Sequence, residues 1–468
     1  MRPNQQVAVS VIVPVRNGAG HLARCLTAIC ASTYQQCECV VVDDSSTDET
    51  RAVAAQFPVT LIELRGGPYG PAQARNLGVQ VARGAIILFV DADVVVKPDT
   101  VAQVVETFGR SPEISAVFGS YDDAPANPEF LSQYKNLFHH FVHQHASEQA
   151  VTFWAGCGAV RRDAFLAVGG FDAQRYPRPS IEDIELGVRL RSAGHRIMLH
   201  KGIQVTHLKR WTLRGMVRSD VFDRGIPWTL LLLQERSLPN DLNLRISQRA
   251  GAILACLLVT YAGLILLARG MAAPPLLVGL FMLLATAWSR DPPHVRLAGA
   301  GRVLAYALLG LIAWLALLDR RPAVLASPLL FFGGMLADRW LPGGDLARRV
   351  SLGGMVLGFV GGMVPVAAAL PAGALVPGGL ILLFLLLINY QLYAFFFRQR
   401  GLAFTVAVLP FHLLYYVYGV VAFALGVGLY RRRPITTRTG PPDVAAPAAM
   451  GTAQGAKPVA GRWNGRAG

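Results

Sequence analysis

The hydrophobic pattern divides the chain into two parts. Up to about residue 249, short apolar runs alternate with segments of mixed polarity, whereas Leu, Ala, Val, Gly and Phe dominate from 250 to 430. In the first part, β-branched runs predict strands, and the stretches between them have helical periodicity. The predicted strands are VSVIVPV, CVVV, VTLIEL and AIILFV, and the predicted helices span 20–31, 47–56, 72–82 and 98–108. This alternation predicts an α/β fold, a mostly parallel sheet with helices on both faces.

The second part predicts an all-α transmembrane domain. About 20 apolar residues cross a hydrocarbon core, and the runs that reach or approach this length are 250–268, 272–288, 303–318, 351–370, 378–397 and 402–430. A shorter run at 322–337 leaves the number of spans at six or seven. Arginines fall on both sides in either case, so the positive-inside rule leaves the side of the C-terminus open. The tail 431–468 is predicted to be disordered.

A basic, amphipathic segment at 209–249 separates the α/β domain, 1–208, from the apolar part. Its apolar positions recur at helical spacing among arginines, and tryptophans flank it: Trp211, Leu213, Arg214, Met216, Val217, Arg218, Val221, Arg224 and Trp228. This composition is typical of a helix that lies in the membrane interface. We therefore expect contacts with membrane lipids.

Charge and cysteine content exclude several classes of protein. The net charge of +15 does not come from a basic patch interleaved with aromatic residues, so we expect no nucleic-acid partner. Cations concentrate just before the first apolar run, where anionic lipid is the simpler partner. The six cysteines include no CxxC pair, which predicts reduced thiols. No apolar run precedes Val7, so we expect no signal peptide and a cytoplasmic α/β domain.

Paired carboxylates follow two of the predicted strands. Asp43 and Asp44 come directly after CVVV, and Asp91 and Asp93 come directly after IILFV, at strand ends where open α/β sheets bind ligands. Asp also shapes turns and caps helices, and that alternative stays open for Asp43 and Asp44. On an extended chain Asp91 and Asp93 point the same way, and converging carboxylate oxygens suit Mg²⁺ or Mn²⁺.

The first domain lacks the usual nucleotide-binding loops. Neither GxGxxG nor GxxxxGK[ST] occurs there, and the Gly-rich stretch GGPYGP carries no lysine. A divalent cation held by the carboxylates would neutralise a diphosphate directly, with Arg75 as a second cation. Without a metal, we expect Asp91 and Asp93 to form an uncompensated pair of charges.

The order of motifs resembles the family 2 glycosyltransferases, which have a GT-A fold. The matching stretches are VSVIVPVRN, VVVDDSSTD, ARNLG, FVDAD, GCGAVRRDAF with VGGFD, and IEDIELGVRLRSAG. Together they cover roughly residues 7 to 210. The resemblance implies a Rossmann-like GT-A catalytic domain and an inverting transfer of a sugar from a nucleotide-sugar donor.

The resemblance also implies roles for individual residues. The implied donor-binding residues are Pro14, Arg16, Asp43, Arg75 and Asp91; the implied metal ligands are Asp91, Asp93 and His207; the catalytic residues are Asp183, as base, and Glu182. The acceptor side would comprise Trp154, Gly156, Arg210 and Trp211. A divalent Mn or Mg ion is the implied cofactor. These residue types suit the chemistry, because a base must reach the acceptor hydroxyl and a cation must stabilise the leaving diphosphate.

Several of these residues have a structural alternative. Glu182 and Asp183 also suit the first turn of a helix after Ser180, whereas Glu185 and Arg189 suit an i, i+4 pair. Trp154 suits a buried core position and His207 the end of a strand. The histidines at 139, 140, 143 and 145 lie on a predicted helix, where polar or acceptor-phosphate contacts are favoured over a zinc site.

The predicted function is that of a membrane-bound, metal-dependent glycosyltransferase acting on a lipid-linked or other membrane acceptor at the inner membrane. Processive synthases of the same family carry Q-x-x-R-W, and the equivalent here is His207-Leu-Lys-Arg210-Trp211. Because His replaces Gln, a processive synthase with a channel-forming membrane domain is the second alternative. A third is a scaffold or transporter with a non-catalytic, sugar-nucleotide-sensing domain.

Overall fold

The computed structural model describes residues 7–236, 239–268, 349–350, 352–357 and 372–432. The strands are β1 Val9–Val15, β2 Cys37–Asp44, β3 Thr60–Leu64, β4 Ile86–Val90, β5 Val94–Val95, β6 Ile114–Tyr121, β7 Cys157–Arg161 and β8 Arg196–His207. The helices of the first domain are α1 Ala19–Cys30, α2 Thr50–Ala54, α3 Pro71–Val81, α4 Thr100–Arg110, α5 Phe130–His145, α6 Arg162–Ala167 and α7 Glu182–Ser192. Each predicted strand and helix of the first hundred residues is present within a few residues of its expected bounds.

These strands form one mixed sheet in the order β3-β2-β1-β4-β7-β6-β8-β5. The four strands predicted from the sequence pair in parallel, but β7 runs antiparallel to both β4 and β6, and β5 runs antiparallel to β8. The prediction of a mostly parallel sheet is therefore confirmed for that first half, whereas the sheet as a whole is mixed, with β6 and β8 again parallel. Its second half contains strands that were not predicted, such as β7, whose residues CGAVR show no strand periodicity.

Helices cover both faces of the sheet, as predicted. Alternate residues of β1 point to opposite faces, so that Val11 and Val13 join one apolar core and Ile12 joins the other. The first core receives α1 and α4 through Leu22, Leu26, Val101, Val104 and Phe108. The second receives α3, α6 and α7 through Val79, Phe165, Leu186 and Leu190. Both faces are thus covered, and residues at the carboxyl ends of β1, β2 and β4 line an open cleft.

A connecting segment follows β8. It contains α8 Leu213–Arg218, a π-helical turn Ser219–Gly225 and α9 Ile226–Glu235. The apolar side chains that predicted an interfacial helix are used within the protein: Leu213 and Met216 are buried with α5 and with residues between 392 and 411, and Val221 packs with Tyr418. The charged side of this segment faces the carboxyl end of the sheet.

Three apolar helices have described bounds after residue 245, besides the short helical stretches 349–350 and 352–357: α10 Ile246–Ala268, α11 Ala372–Ile388 and α12 Tyr390–Arg432. Helix α12 is broken at Gly401, whose φ of 80° is non-helical, at the predicted boundary between two spans. Among the described residues, α12 alone is long and apolar enough to cross a membrane by length and composition. The predicted spans 272–288, 303–318 and 322–337, and most of 351–370, lie outside the described residues.

Candidate active site

A cleft of about 1020 Å³ opens at the carboxyl ends of the strands, between the sheet and the connecting segment. Most of the residues singled out from the sequence line it: Pro14, Arg16, Arg75, Asp91, Asp93, Trp154, Glu182, Asp183, Arg210 and Trp211. Asp43, Gly156 and His207 lie behind this lining. The fold thus brings residues from distant parts of the chain to one cleft.

Arg75 joins two carboxylates of the cleft. Its Nη2 donates to Asp91 Oδ1 at 2.7 Å and its Nη1 donates to Glu182 Oε1 at 2.9 Å. Burial raises the pKa of Asp91, and the adjacent guanidinium opposes that shift. The expectation that Asp91 and Asp93 form an uncompensated pair of charges is therefore wrong, because a buried arginine from α3 neutralises Asp91.

Asp93 faces His207 because of strand pairing. A tight turn after β4 returns the chain as β5, and Val94 pairs with His207 at the end of β8. This register places His207 Nε2 3.5 Å from Asp93 Oδ2. Burial alone would raise the pKa of Asp93, but His207 and Lys209 lower it to about 2. Asp93 is therefore an ionised carboxylate beside an imidazole.

Asp183 lies at the start of α7 with both carboxylate oxygens held by backbone. Oδ2 accepts from Ala155 N at 3.1 Å and Oδ1 accepts from Ile184 N at 2.8 Å. Gly187 lets α7 approach this backbone, since a Cβ there would lie 2.3 Å from Phe153 N. Burial and the neighbouring Glu182 raise the pKa of Asp183 to about 6. A place in the first turn of α7 is therefore compatible with a role of Asp183 as a base.

Helix α7 also contains the pair expected to be structural. Arg189 Nε donates to Glu185 Oε1 at 2.7 Å, which confirms the predicted i, i+4 interaction. The same guanidinium donates to Gly170 O at 2.7 Å. This pair fastens α7 to the loop after α6 and leaves Glu182 and Asp183 to face the cleft.

The two carboxylates at the end of β2 have different positions. Asp43 is fully buried and accepts from Ser46 N at 3.3 Å, which is the turn geometry kept open as an alternative. Asp44 lines the cleft, and its two oxygens accept from Tyr69 N and Gly70 N at 2.8 Å each. Asp44 therefore shapes the Gly-rich loop at the cleft rim, a role that the sequence analysis missed.

Trp154, which was predicted for the acceptor side, belongs to an aromatic cluster that lines the cleft. Trp154 lies edge-on to Tyr121 with ring centroids 4.8 Å apart. Gly156 allows this arrangement, because a Cβ there would lie 2.4 Å from the indole ring. Gly156 O also accepts from Asp91 N at 3.2 Å. Gly156 thus supports both the tryptophan and the Asp91 turn from behind the cleft.

The last two predicted acceptor residues follow β8. Trp211 is buried, and its backbone N–H donates to Ser132 Oγ on α5 at 2.9 Å. Arg210 pairs with Glu129, at 2.8 Å between Nε and Oε1. Arg210 is therefore partly neutralised at the rim of the cleft.

The histidines of α5 are packing residues rather than a metal cluster. Among the residues that the structure describes, no group of three or more His, Cys, Asp or Glu side chains has metal-binding geometry. Burial lowers the pKa of His139 and brings that of His143 to about 4. Both are neutral near pH 7, and both line the cleft.

Positive charge collects on the side of the cleft formed by the connecting segment. Lys209, Arg218 and Arg224 line the cleft there together with Asp223. Burial raises the pKa of Asp223, and these three cations oppose the shift. One carboxylate against three cations leaves a local excess of positive charge. The sequence analysis assigned Arg218 and Arg224 to the membrane interface and did not foresee their place in the cleft.

Residues 10–169 match the family model described as Glycosyl transferase family 2. The resemblance drawn from the motifs is confirmed over those residues, and the acidic motif at α7 lies beyond them. A relative from Streptococcus pneumoniae, Glycosyltransferase GlyG, is 32% identical over 24% of this chain and 38% of its own length. The chain spans between 30% and 40% of the length of several curated relatives that it matches.

Two further similarities extend over more of the chain. The Glucosyl-dolichyl phosphate glucuronosyltransferase of Haloferax volcanii is 25% identical over 38% of this chain and 62% of its own length. The solved structure of the mannosyltransferase PcManGT from Pyrobaculum calidifontis, in complex with GDP-Man and Mn²⁺, covers 82% of this chain and 86% of its own. That structural match has a TM-score of 0.35 at 20% identity.

Proposed function

We propose that this chain is a membrane-bound inverting glycosyltransferase that moves a sugar from a nucleotide-sugar to a lipid-linked acceptor. The observation that carries the proposal is the placement of Asp183. Its carboxylate is held by two backbone N–H groups at the start of α7 and lines the same cleft as Asp91 and Asp93. Such a transfer requires a base for the acceptor hydroxyl and a group that holds the leaving diphosphate, and Asp183 and the acidic pair after β4 are the candidates for these two roles.

In the proposed reaction, Asp183 accepts the proton of the acceptor hydroxyl as that oxygen attacks the anomeric carbon. The nucleoside diphosphate leaves from the opposite side of the sugar, towards Asp91 and Asp93. Arg75 keeps Asp91 and Glu182 in place through its two hydrogen bonds. The backbone bonds from Ala155 and Ile184 fix Asp183 in the orientation that a base needs.

Asp93 and His207 fit a divalent cation. They offer a carboxylate oxygen and an imidazole nitrogen 3.5 Å apart, a donor set that suits Mn²⁺ or Mg²⁺ with the remaining positions taken by diphosphate oxygens and water. Asp91 would contribute its second carboxylate oxygen, since Arg75 binds the first. The side chains of Asp91, Asp93 and His207, all within the described part of the chain, do not stand in metal-binding geometry before a cation arrives. When bound, such a cation stabilises the negative charge that develops on the leaving diphosphate.

The charge of the connecting segment favours an acceptor that lies in the membrane and carries phosphate. Lys209, Arg218 and Arg224 give this side of the cleft an excess of positive charge, which favours an anionic group. The same segment packs on α12, the candidate membrane helix. A relative named for its action on a dolichyl phosphate sugar is consistent with such an acceptor.

A reconstituted assay tests the proposal directly. The full chain in nanodiscs, given a panel of nucleotide-sugars with Mn²⁺ or Mg²⁺ and a polyisoprenyl phosphate, is expected to release nucleoside diphosphate and to form a lipid heavier by one sugar. Mass analysis of the lipid separates single transfer from the processive alternative. If no donor is consumed with any acceptor, whereas nucleotide-sugar still binds, the sensing scaffold is the better account.

We expect the rate to fall in acid. Because burial raises the pKa of Asp183 to about 6, the base is ionised above that pH and protonated below it. With Mn²⁺ saturating, the rate constant kcat/KM should fall about tenfold for each pH unit below 6 and level off above 7. A flat profile between pH 5 and 7 would contradict the assignment of Asp183 as the base.

Removing two cations should weaken binding of the acceptor and leave binding of the donor unchanged. In the double variant R218Q/R224Q, we expect KM for a polyisoprenyl phosphate to rise by about 100-fold or more, since each hydrogen bond to a charged group contributes about 1.5–3 kcal/mol and the variant removes two cations. The KM of the nucleotide-sugar should stay within about threefold. Arg196→Gln, an exposed position at the start of β8, is the control, and equal acceptor KM values in all three proteins would refute the subsite.

A further inference from the structure

Helix α5 has two faces with different partners. One face carries an aromatic row that packs on α12: Phe130 lies 5.0 Å from Phe404, Tyr134 lies 6.0 Å from Phe396, and Phe138 lies 5.1 Å from Tyr415, all between ring centroids. These positions recur at i, i+4 and i+8, the spacing of one helix face. Helix α5 is thus fixed against the candidate membrane helix.

The other face of α5 contacts the candidate active site. Its row is Ser132, Asn136, His139 and His143, at i, i+4, i+7 and i+11. Ser132 Oγ accepts from Trp211 N, the His139 ring stacks on Tyr121 with centroids 6.0 Å apart, and His143 lies 5.4 Å from Trp154. Every member of the row therefore supports a residue at or behind the cleft.

Asn136 is the member that contacts the candidate metal ligand. Its Oδ1 lies 2.7 Å from His207 Nδ1, and Asn136 is 1% exposed. With Asn136 Oδ1 as the acceptor, the imidazole donates from Nδ1. When a cation binds, His207 Nε2, on the side of Asp93, is then the nitrogen that supplies the lone pair. Tyr121 stacks on the same imidazole with centroids 4.3 Å apart and fixes its plane.

We propose that Asn136 is a positioning residue that sets the tautomer and orientation of His207 for binding a divalent cation with Asp93. The inference rests on the proposed function for the identity of the cation. Helix α5 therefore builds part of the cation site. This helix lies outside the sheet and is held in place by α12. Histidine ligands in metal sites generally depend on such an acceptor for their second nitrogen, and its loss weakens metal binding about 10- to 100-fold.

Two substitutions of Asn136 distinguish its hydrogen bond to His207 from its contribution to packing. Asn136→Leu keeps the size of the side chain and removes the acceptor, whereas Asn136→Asp keeps an acceptor for the Nδ1 proton. In the full chain in nanodiscs, Mn²⁺ titration followed by electron paramagnetic resonance should show Kd raised at least tenfold in N136L and within about threefold of wild type in N136D. Pulsed resonance on bound Mn²⁺ should show coupling to an imidazole nitrogen in wild type, which His207→Ala removes.

The readout is metal binding, so it is independent of sugar transfer. A protein that binds Mn²⁺ through His207 but transfers no sugar would refute the proposed function and leave the role of Asn136 intact. Equal Mn²⁺ affinity in wild type and N136L, or an N136D variant as weak as N136L, would refute the role of Asn136. His145→Ala is the matched control and should bind Mn²⁺ like wild type, because His145 lies at the exposed end of α5 and its ring hydrogen-bonds to Phe141 O of the same helix.

Discussion

Asp183→Asn should lower the rate of sugar transfer by about 10²- to 10⁴-fold, the usual contribution of a general base. The substitution keeps the shape of the side chain and one acceptor oxygen for the backbone N–H groups of Ala155 and Ile184. An amide has no affinity for a proton near pH 7, so the acceptor hydroxyl would attack without its base. We therefore expect kcat to fall while the Kd of the nucleotide-sugar changes by less than about threefold.

The chain contains a matched control for this substitution. Asp163 also lies in the first turn of a helix, and its Oδ1 accepts from the next backbone N–H, of Ala164, at 2.7 Å. It does not line the cleft. Asp163→Asn should therefore transfer sugar at the wild-type rate. If Asp183→Asn also retains more than about a tenth of wild-type kcat, a different group is the base.

The sequence was sufficient to predict the first half of the fold. Its strands are β-branched runs separated by amphipathic helices, and the order of strands and helices places Asp91 and Asp93 at a carboxyl edge. The second half was not predictable in the same way. Strand β7 owes its place to pairing on both sides, with β4 and β6, and such tertiary pairing overrides weak local propensity.

The candidate site likewise contains residues that the sequence predicted and residues that it did not. The resemblance implies that Asp43 binds the donor, but Asp44 is the member of the pair that lines the cleft, because neighbouring residues of a strand face opposite sides. His207 was found through its place in a motif, whereas its partner Asn136 lies 71 residues away in the chain and in no motif. The link between Arg75 and Glu182 spans 107 residues, and only the folded chain shows that one guanidinium joins two acidic motifs.

That link leads to the second large effect, on stability. In Arg75→Met, Asp91 and Glu182 lose the cation that both contact at 2.9 Å or less, and Glu182 has only 7% of its side chain exposed. Breaking a buried ion pair by removing one partner costs about 3–5 kcal/mol, because it leaves an uncompensated buried charge. For a domain of this size, we expect the midpoint of thermal unfolding to fall by roughly 6–20 °C.

Two further variants of the chain test whether the unpaired carboxylates cause the loss of stability in Arg75→Met. Arg83→Met removes an arginine with 71% of its side chain exposed, which pairs with Glu38 at 2.7 Å. Glu38 keeps hydrogen bonds from Ser10 Oγ and from the backbone N–H of residue 83, so this substitution should cost about 1 kcal/mol or less. The triple variant R75M/D91N/E182Q removes the unpaired charges together with the cation and should recover much of the lost stability. Tryptophan fluorescence during heating in nanodiscs measures all of these midpoints. If Arg75→Met and Arg83→Met unfold at the same temperature, the Asp91–Arg75–Glu182 bridge does not hold the two halves of the site together.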